Sequence, residues 1–203
     1  MKGLLLKDLM NLKKQSLLLL VVIVFYLALS FASQSISVFG TMVTVMCAML
    51  PITAMSYDER AHWERYALTM PLSRRDLVVE KYLLGLLMLL GSLGLSLLVQ
   101  AVAGLPFGEA LASSLSSLTV GLLFQLLTMP VMFKLGVEKG RVAMLAMIFI
   151  PALLIMLLPK EMESLLDGQT LGMLTWAAPV CVLALWFVSM GISLALYRGK
   201  ELQ

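Results

Sequence analysis

Five stretches of the chain carry no charged side chain: Gln15 to Tyr57, Tyr82 to Gly108, Ala110 to Phe133, Val142 to Pro159 and Gly168 to Tyr197. Leu, Val, Ile, Met and Ala dominate each of them. A helix crosses the hydrocarbon core of a bilayer with roughly 20 apolar residues. The first stretch holds two such helices around the polar turn Ser33-Gln34-Ser35, and each of the others holds one. The pattern predicts six spans, at about 16–33, 36–56, 79–103, 111–133, 142–159 and 171–197. The fold class is therefore all-α integral membrane, one domain over residues 1–203.

Two shorter segments alternate with helical rather than membrane-filling periodicity. Over about 3–15, Leu5, Leu9 and Leu12 recur on one face while Lys7, Asn11 and Lys14 mark another. Apolar residues down and lysines toward lipid phosphates suit an interfacial elbow helix. The second segment lies between spans 2 and 3. Ser56 and Glu59 stand at capping-box spacing. Trp63, Tyr66, Ala67 and Met70 fall at i, i+3, i+4 and i+7, one apolar-aromatic face, and Arg60 and Glu64 stand at ion-pair spacing. Pro71 ends this helix, because it disfavours helical geometry at Met70. Ser73 then reads as the next N-cap, with Asp76 at N3 and Leu72 and Leu77 as a hydrophobic staple. So span 3 starts in the cytoplasm and enters the membrane through Glu80 and Lys81. A short aromatic, charged helix suits docking to a soluble partner; a seat in the lipid headgroups, where Trp and Tyr also concentrate, suits it equally.

Composition agrees with a lipid solvent. Hydrophobic residues make up 61% of the chain and charged residues 13%, against about 25% charged in soluble domains. Charge also orients it. With the N-terminus inside, fourteen of the 15 Lys and Arg fall on the cytoplasmic side and only Lys160 outside. Outer loops carry Glu109, Glu161, Glu163 and Asp167 instead. The positive-inside rule then places both termini in the cytoplasm, as expected of a multi-pass protein of a bacterial cytoplasmic membrane. No small-residue cleavage site follows the first apolar run, so no cleavable leader is expected.

The chemistry is sparse. No Gly-x-x-x-x-Gly-Lys-Ser/Thr occurs, and the glycine-containing, basic run Gly136 to Arg141 lacks that spacing. The chain is thus not expected to be an enzyme or to bind a cofactor. The single histidine, His62, lies outside the spans, which disfavours an intramembrane metalloprotease or a Ser–His protease. Cys47 and Cys181 fall within spans and read as packing residues. No span centre holds an ionisable residue, which disfavours ion-coupled transport. Gln100 and Gln125 are the strongest polar groups inside; they line a pathway or bond neighbouring helices. Pro51, Pro130, Pro151 and Pro179 can bend their spans. Gly91 and Gly94, with Ser92 and Ser96, offer small residues for close helix contact on span 3.

The acidic start of the inner loop, with Trp63, Tyr66, Leu68, Pro71, Ser73-Arg74 and Lys81-Tyr82, resembles permeases of the ABC-2 type. The loop from Pro130 through Lys134, Gly136, Glu138, Lys139 and Arg141 is similar to that family's loop between spans 4 and 5, and Lys2-Gly3 with Lys7-Asp8 to its elbow helix. The resemblance covers the whole chain. It implies an ABC exporter subunit whose coupling helix, Asp58 to Leu68, seats in a separate ATPase. Carried over, that site comprises Asp58, Glu59, Arg60, His62, Trp63, Glu64, Arg65, Tyr66 and Leu68. The implied assembly has two ATPase copies, which hold ATP and Mg2+, and a second permease copy or a sister permease. Cargo would be an amphipathic peptide or a drug-like molecule moved by alternating access; the branch it most resembles includes phenol-soluble modulin exporters, and other members serve bacteriocin or antibiotic resistance. Nucleic acid is not an expected partner. A non-transporting scaffold or assembly factor, and less so a secondary transporter, are the alternatives.

Overall fold

The computed structural model describes residues 2–32, 35–69, 73–146 and 168–198. The side chains of Lys2, Glu64, Arg65, Leu68, residues 168–175 and Arg198 lie outside that description. All secondary structure among the described residues is helical. In chain order the helices are α1 (Lys2–Lys13), α2 (Ser16–Ala32), α3 (Ile36–Arg60), α4 (Trp63–Thr69), α5 (Arg74–Val102) and α6 (Phe107–Leu135). Then come α7, described over 137–146, and α8 (Gly168–Arg198).

Among the described residues four helices are long and apolar enough to cross a membrane: Ile36–Arg60, Arg74–Val102, Phe107–Leu135 and Trp176–Tyr197. They correspond to expected spans 2, 3, 4 and 6. The first expected span is α2, whose 17 residues cover about 25 Å at the helical rise, short of the roughly 30 Å hydrocarbon core. It meets α1 at a bend of 66°, as an elbow leading into a span would. Of the fifth expected span, 142–159, only the start of its range is among the described residues. Pro151 lies outside them, whereas α3, α6 and α8 continue through Pro51, Pro130 and Pro179.

α3, α5 and α6 pack on one another, α8 lies against α6 and α5, and α2 packs on α3. Their outward faces are greasy: α2 exposes Leu17, Leu18, Val21, Val24, Phe25 and Phe31, and lipid replaces water there at no hydrophobic cost. Helices in lipid are held instead by close packing and hydrogen bonds. The close packing is not where Gly91 and Gly94 suggested. An added Cβ at either would meet nothing within 4 Å. Within the expected third and fourth spans the tight approaches are at Gly85, beside the Gln125 amide, and at Gly121, between Leu89 and Thr44. Ser92 and Ser96 do face inward.

Interior polar groups find partners between helices. Gln100 Nε2 and Ser96 Oγ donate to Ser114 Oγ at 3.1 and 2.9 Å, Thr41 bonds Ser117 at 3.1 Å, and the Trp186 indole N–H donates to Gln125 Oε1 at 3.3 Å. The Tyr82 hydroxyl reaches Ser193 and Ser189 on α8 at 2.7 and 3.0 Å, while its ring packs edge-on against Trp186 and stacks on Phe133. Tyr82→Phe keeps the rings and removes a hydroxyl partner from Ser193 and Ser189, of which Ser189 still donates to the Leu126 carbonyl at 2.8 Å; a loss of about 1 kcal/mol in unfolding free energy is expected, measurable by denaturant titration in mixed micelles.

Candidate functional site

Most charged residues among those described gather at one end of the bundle, where α1, the end of α3, α4, the start of α5 and the α6–α7 connection meet. The local folding follows from the sequence in part. Ser73 is the N-cap of α5: its Oγ accepts from the Asp76 N–H at 3.2 Å and its own N–H donates to Asp76 Oδ2 at 3.0 Å. That capping box is the expected one; Leu72, its staple partner, lies outside the described residues, and Leu77 is buried.

The expected single helix over 58–68 is instead divided. α3 runs on to Arg60, a turn follows at 61–62, and α4 begins at Trp63. His62 ends the first helix by taking a left-handed conformation, φ +48°, which no helix continues. Ser56 and Glu59 therefore sit inside α3 rather than forming a capping box, and each serves the second loop. Ser56 Oγ accepts from Arg141 at 3.1 Å. Glu59 Oε2 accepts from the Val137 N–H at 2.7 Å, so a carboxylate caps the N-terminus of α7, where the helix dipole favours it. Gly136 makes the approach possible: its φ is +79°, and a Cβ there would lie 3.0 Å from Glu59 Oε1.

A second constellation joins α1 to this end. Lys81 Nζ donates to Asp8 Oδ2, and to Asp58 Oδ2 at 2.6 Å. Lys7 Nζ reaches Asp58 Oδ1 at 2.6 Å and Asp8 Oδ1 at 3.1 Å, and it also lies over the Trp63 ring, 4.5 Å from its centroid. Glu80 is 3.5 Å from Lys81, yet neither of its oxygens meets a hydrogen-bond donor. Asp8, Glu80 and Lys81 are buried. The pairs are therefore little screened by water. At the elbow's exit, Gln15 Nε2 donates to the Tyr57 hydroxyl at 2.6 Å.

The sequence-predicted docking residues thus divide. Asp58 is buried and ion-paired, and Glu59, though exposed, is held by the Val137 N–H. Arg60, His62 and Tyr66 are exposed, with Tyr66 63% exposed. Trp63 is half-buried and Ala67 wholly buried, so α4 turns its small residue to the bundle and Tyr66 outward. In the second loop Lys134, Glu138, Lys139 and Arg141 are exposed, next to half-buried Gly136. Gln100 and Gln125 are fully buried between helices, with Gln100 Oε1 and Gln125 Nε2 unpartnered. Beside this face, a cavity of about 330 Å³ opens between α5 and α8, lined by Ser73, Arg74, Arg75, Leu194 and Tyr197. Among the described residues no group of His, Cys, Asp and Glu could hold a metal ion.

The sequence names Lys7, Asp8, Glu80 and Lys81 one by one but does not reveal that they pair. A signal exists in retrospect. The buried strip of α1 is Leu4, Asp8 and Leu12, an acid at i+4 between two leucines, not the Leu5-Leu9-Leu12 strip that the leucine spacing suggested; Leu9 is exposed.

Long apolar helices, a bent elbow and a charged end built from short helices define a multi-pass membrane protein with one elaborated face. The model of the ABC-2 family transporter protein matches residues 3–198, nearly the whole chain, and the chain belongs to that family as an ABC-2-type permease. No curated protein and no solved structure matches it.

Proposed function

We propose that this permease is the membrane subunit of an ATP-driven exporter in a bacterial cytoplasmic membrane, with both termini and the charged face in the cytoplasm. Two copies of a separate ATPase would hold ATP and Mg2+, and a second permease or a sister subunit would complete the pathway. The observation that carries this reading is α4. It is a short helix with an outward aromatic, Tyr66, whose base is fastened to three other helices through Trp63–Lys7, Asp58–Lys81 and Glu59–Val137. A segment pushed by a partner needs an exposed contact and a stiff connection behind it, and these residues supply both. The docking surface comprises Arg60, His62, Tyr66 and the 63–69 helix, with Lys134, Glu138, Lys139 and Arg141 beside it.

Movement of an amphipathic or lipophilic cargo, such as a peptide toxin of the phenol-soluble modulin kind, a bacteriocin or an antibiotic, fits a span interior without charge at its centre. The cavity between α5 and α8 offers an entrance at the inner leaflet. The unpartnered amide atoms of Gln100 and Gln125 support a role for both along the pathway.

The test is binding of the permease, purified in nanodiscs, to the ATPase encoded by its neighbouring gene. Tyr66 is exposed, so Tyr66→Ala is expected to change stability by under about 0.5 kcal/mol. As an aromatic anchor at the interface centre it is expected to weaken ATPase binding about tenfold or more. Unchanged affinity in Tyr66→Ala would sink the assignment of α4, and absence of any binding by the wild type would sink the exporter reading.

A further inference from the structure

The buried ion pairs converge on one residue. Asp8 belongs to α1, Asp58 to the last turn of α3, and Lys81 to α5, and a single ammonium donates to both carboxylates. From Asp58 the chain reaches α4 within five residues. Apolar contacts flank the site on both sides: Leu4 packs in the cluster with Ile52, Met55 and Val78, and Leu12 with Leu50, Ala54 and Leu84. Such leucine contacts are non-directional and tolerate sliding of one helix along another. A two-way buried ion pair does not, because displacement of either carboxylate leaves a charge unpaired in a dry site. Lys81 therefore sets the register of three helices that the leucines only hold together.

We propose that Lys81 is a positioning residue of the transport cycle, clamping the elbow, the end of α3 and the start of α5 into one block that moves as a unit when α4 is pushed. This rests on the ATPase-docking reading of α4 and adds to it the route by which a push leaves the loop. The elbow becomes part of the moving block rather than a passive anchor on the lipid.

The experiment uses the full permease with its ATPase in nanodiscs, with Cys47 and Cys181 replaced and spin labels introduced in pairs at Lys13, Thr69 and Phe107. All three positions are exposed; the first lies on α1, the second on α4, and the third at the far end of α6. Distances are measured by double electron–electron resonance without nucleotide and after trapping with Mg-ATP and vanadate. The expected result is an unchanged Lys13–Thr69 distance while Lys13–Phe107 and Thr69–Phe107 shift together. In Lys81→Met, trapping is expected to shift or broaden the Lys13–Thr69 distance. A Lys13–Thr69 distance that changes on trapping in the wild type overturns the clamp but leaves the docking reading standing. So does a Lys81→Met protein that keeps it constant. Where Lys81→Met does not fold, the wild-type distances decide alone. If no pair responds to trapping, the docking reading falls and the clamp with it.

Discussion

Replacing Lys81 with methionine is expected to lower the unfolding free energy of the permease by about 3 kcal/mol, read by denaturant titration in mixed micelles. Removing one partner of a buried pair typically costs 3–5 kcal/mol, because the charge left behind has lost water and gained nothing. Here two carboxylates are left, Asp8 and Asp58. Lys7 still reaches both, at 3.1 and 2.6 Å, which argues for the lower end of that range. The neighbouring carboxyl supplies the control. Glu80 is as buried as Lys81, but neither of its oxygens accepts a hydrogen bond, and three carboxyls surround two ammoniums. Glu80→Gln keeps the shape and takes out a carboxyl whose oxygens no donor satisfies, so it is expected to be near neutral. Two adjacent substitutions at buried ionisable residues should thus differ widely in their effect on stability. If Glu80→Gln costs as much as Lys81→Met, the five residues act as one indivisible network and Glu80 is one of its supports.

The contrast also shows what was legible in the chain. Charge-free runs reveal spans because lipid excludes charge from a helix centre, and the four longest helices fall where those runs placed them. The Ser73–Asp76 cap was legible for a similar reason: its chemistry is complete within four residues. The charge cluster was not, because its members lie up to 73 residues apart and none carries a local motif. Leucine spacing in the elbow predicted amphipathicity but picked the wrong stripe, since the buried face there is chosen by Asp8 meeting Lys81. The helix over 58–68 was misplaced at its start. Ser56 and Glu59 have the residue types and spacing of a cap, yet both find better partners across the fold, in Arg141 and the Val137 N–H. The proposed docking residues can be named as a group from the sequence, but which of them face outward is a three-dimensional fact. The division between outward Tyr66 and the anchored pair Asp58 and Glu59 depends on the turn at His62.

The same limit governs glycine, and it sets the other large effect. Four glycines sit within the expected third and fourth spans at positions that look equivalent in sequence: Gly85, Gly91, Gly94 and Gly121. Their surroundings differ. A Cβ at Gly121 would lie 2.6 Å from Leu89 Cδ2 and 2.7 Å from Thr44 Cγ2, closer than van der Waals contact allows. Leu89 can swing its terminal methyl aside, but Thr44 Cγ2 is bound directly to Cβ and moves only with its backbone or with a rotamer change. Gly121→Val adds two further methyls to a junction of α3, α5 and α6. Overpacking of this kind costs about 1–3 kcal/mol, and the cost here should sit at the top of that range because two helices must yield at once. Against it stands the better helix propensity of valine, a few tenths of a kcal/mol over glycine, which is too small to change the sign. Gly94→Ala provides the opposite case: nothing lies within 4 Å of the added Cβ, so the propensity gain of up to about 1 kcal/mol is unopposed. Thermal unfolding of the purified permease should therefore rank Gly94→Ala at or above wild type and Gly121→Val well below it. Equal stabilities for the two variants would mean that α3, α5 and α6 do not meet at Gly121.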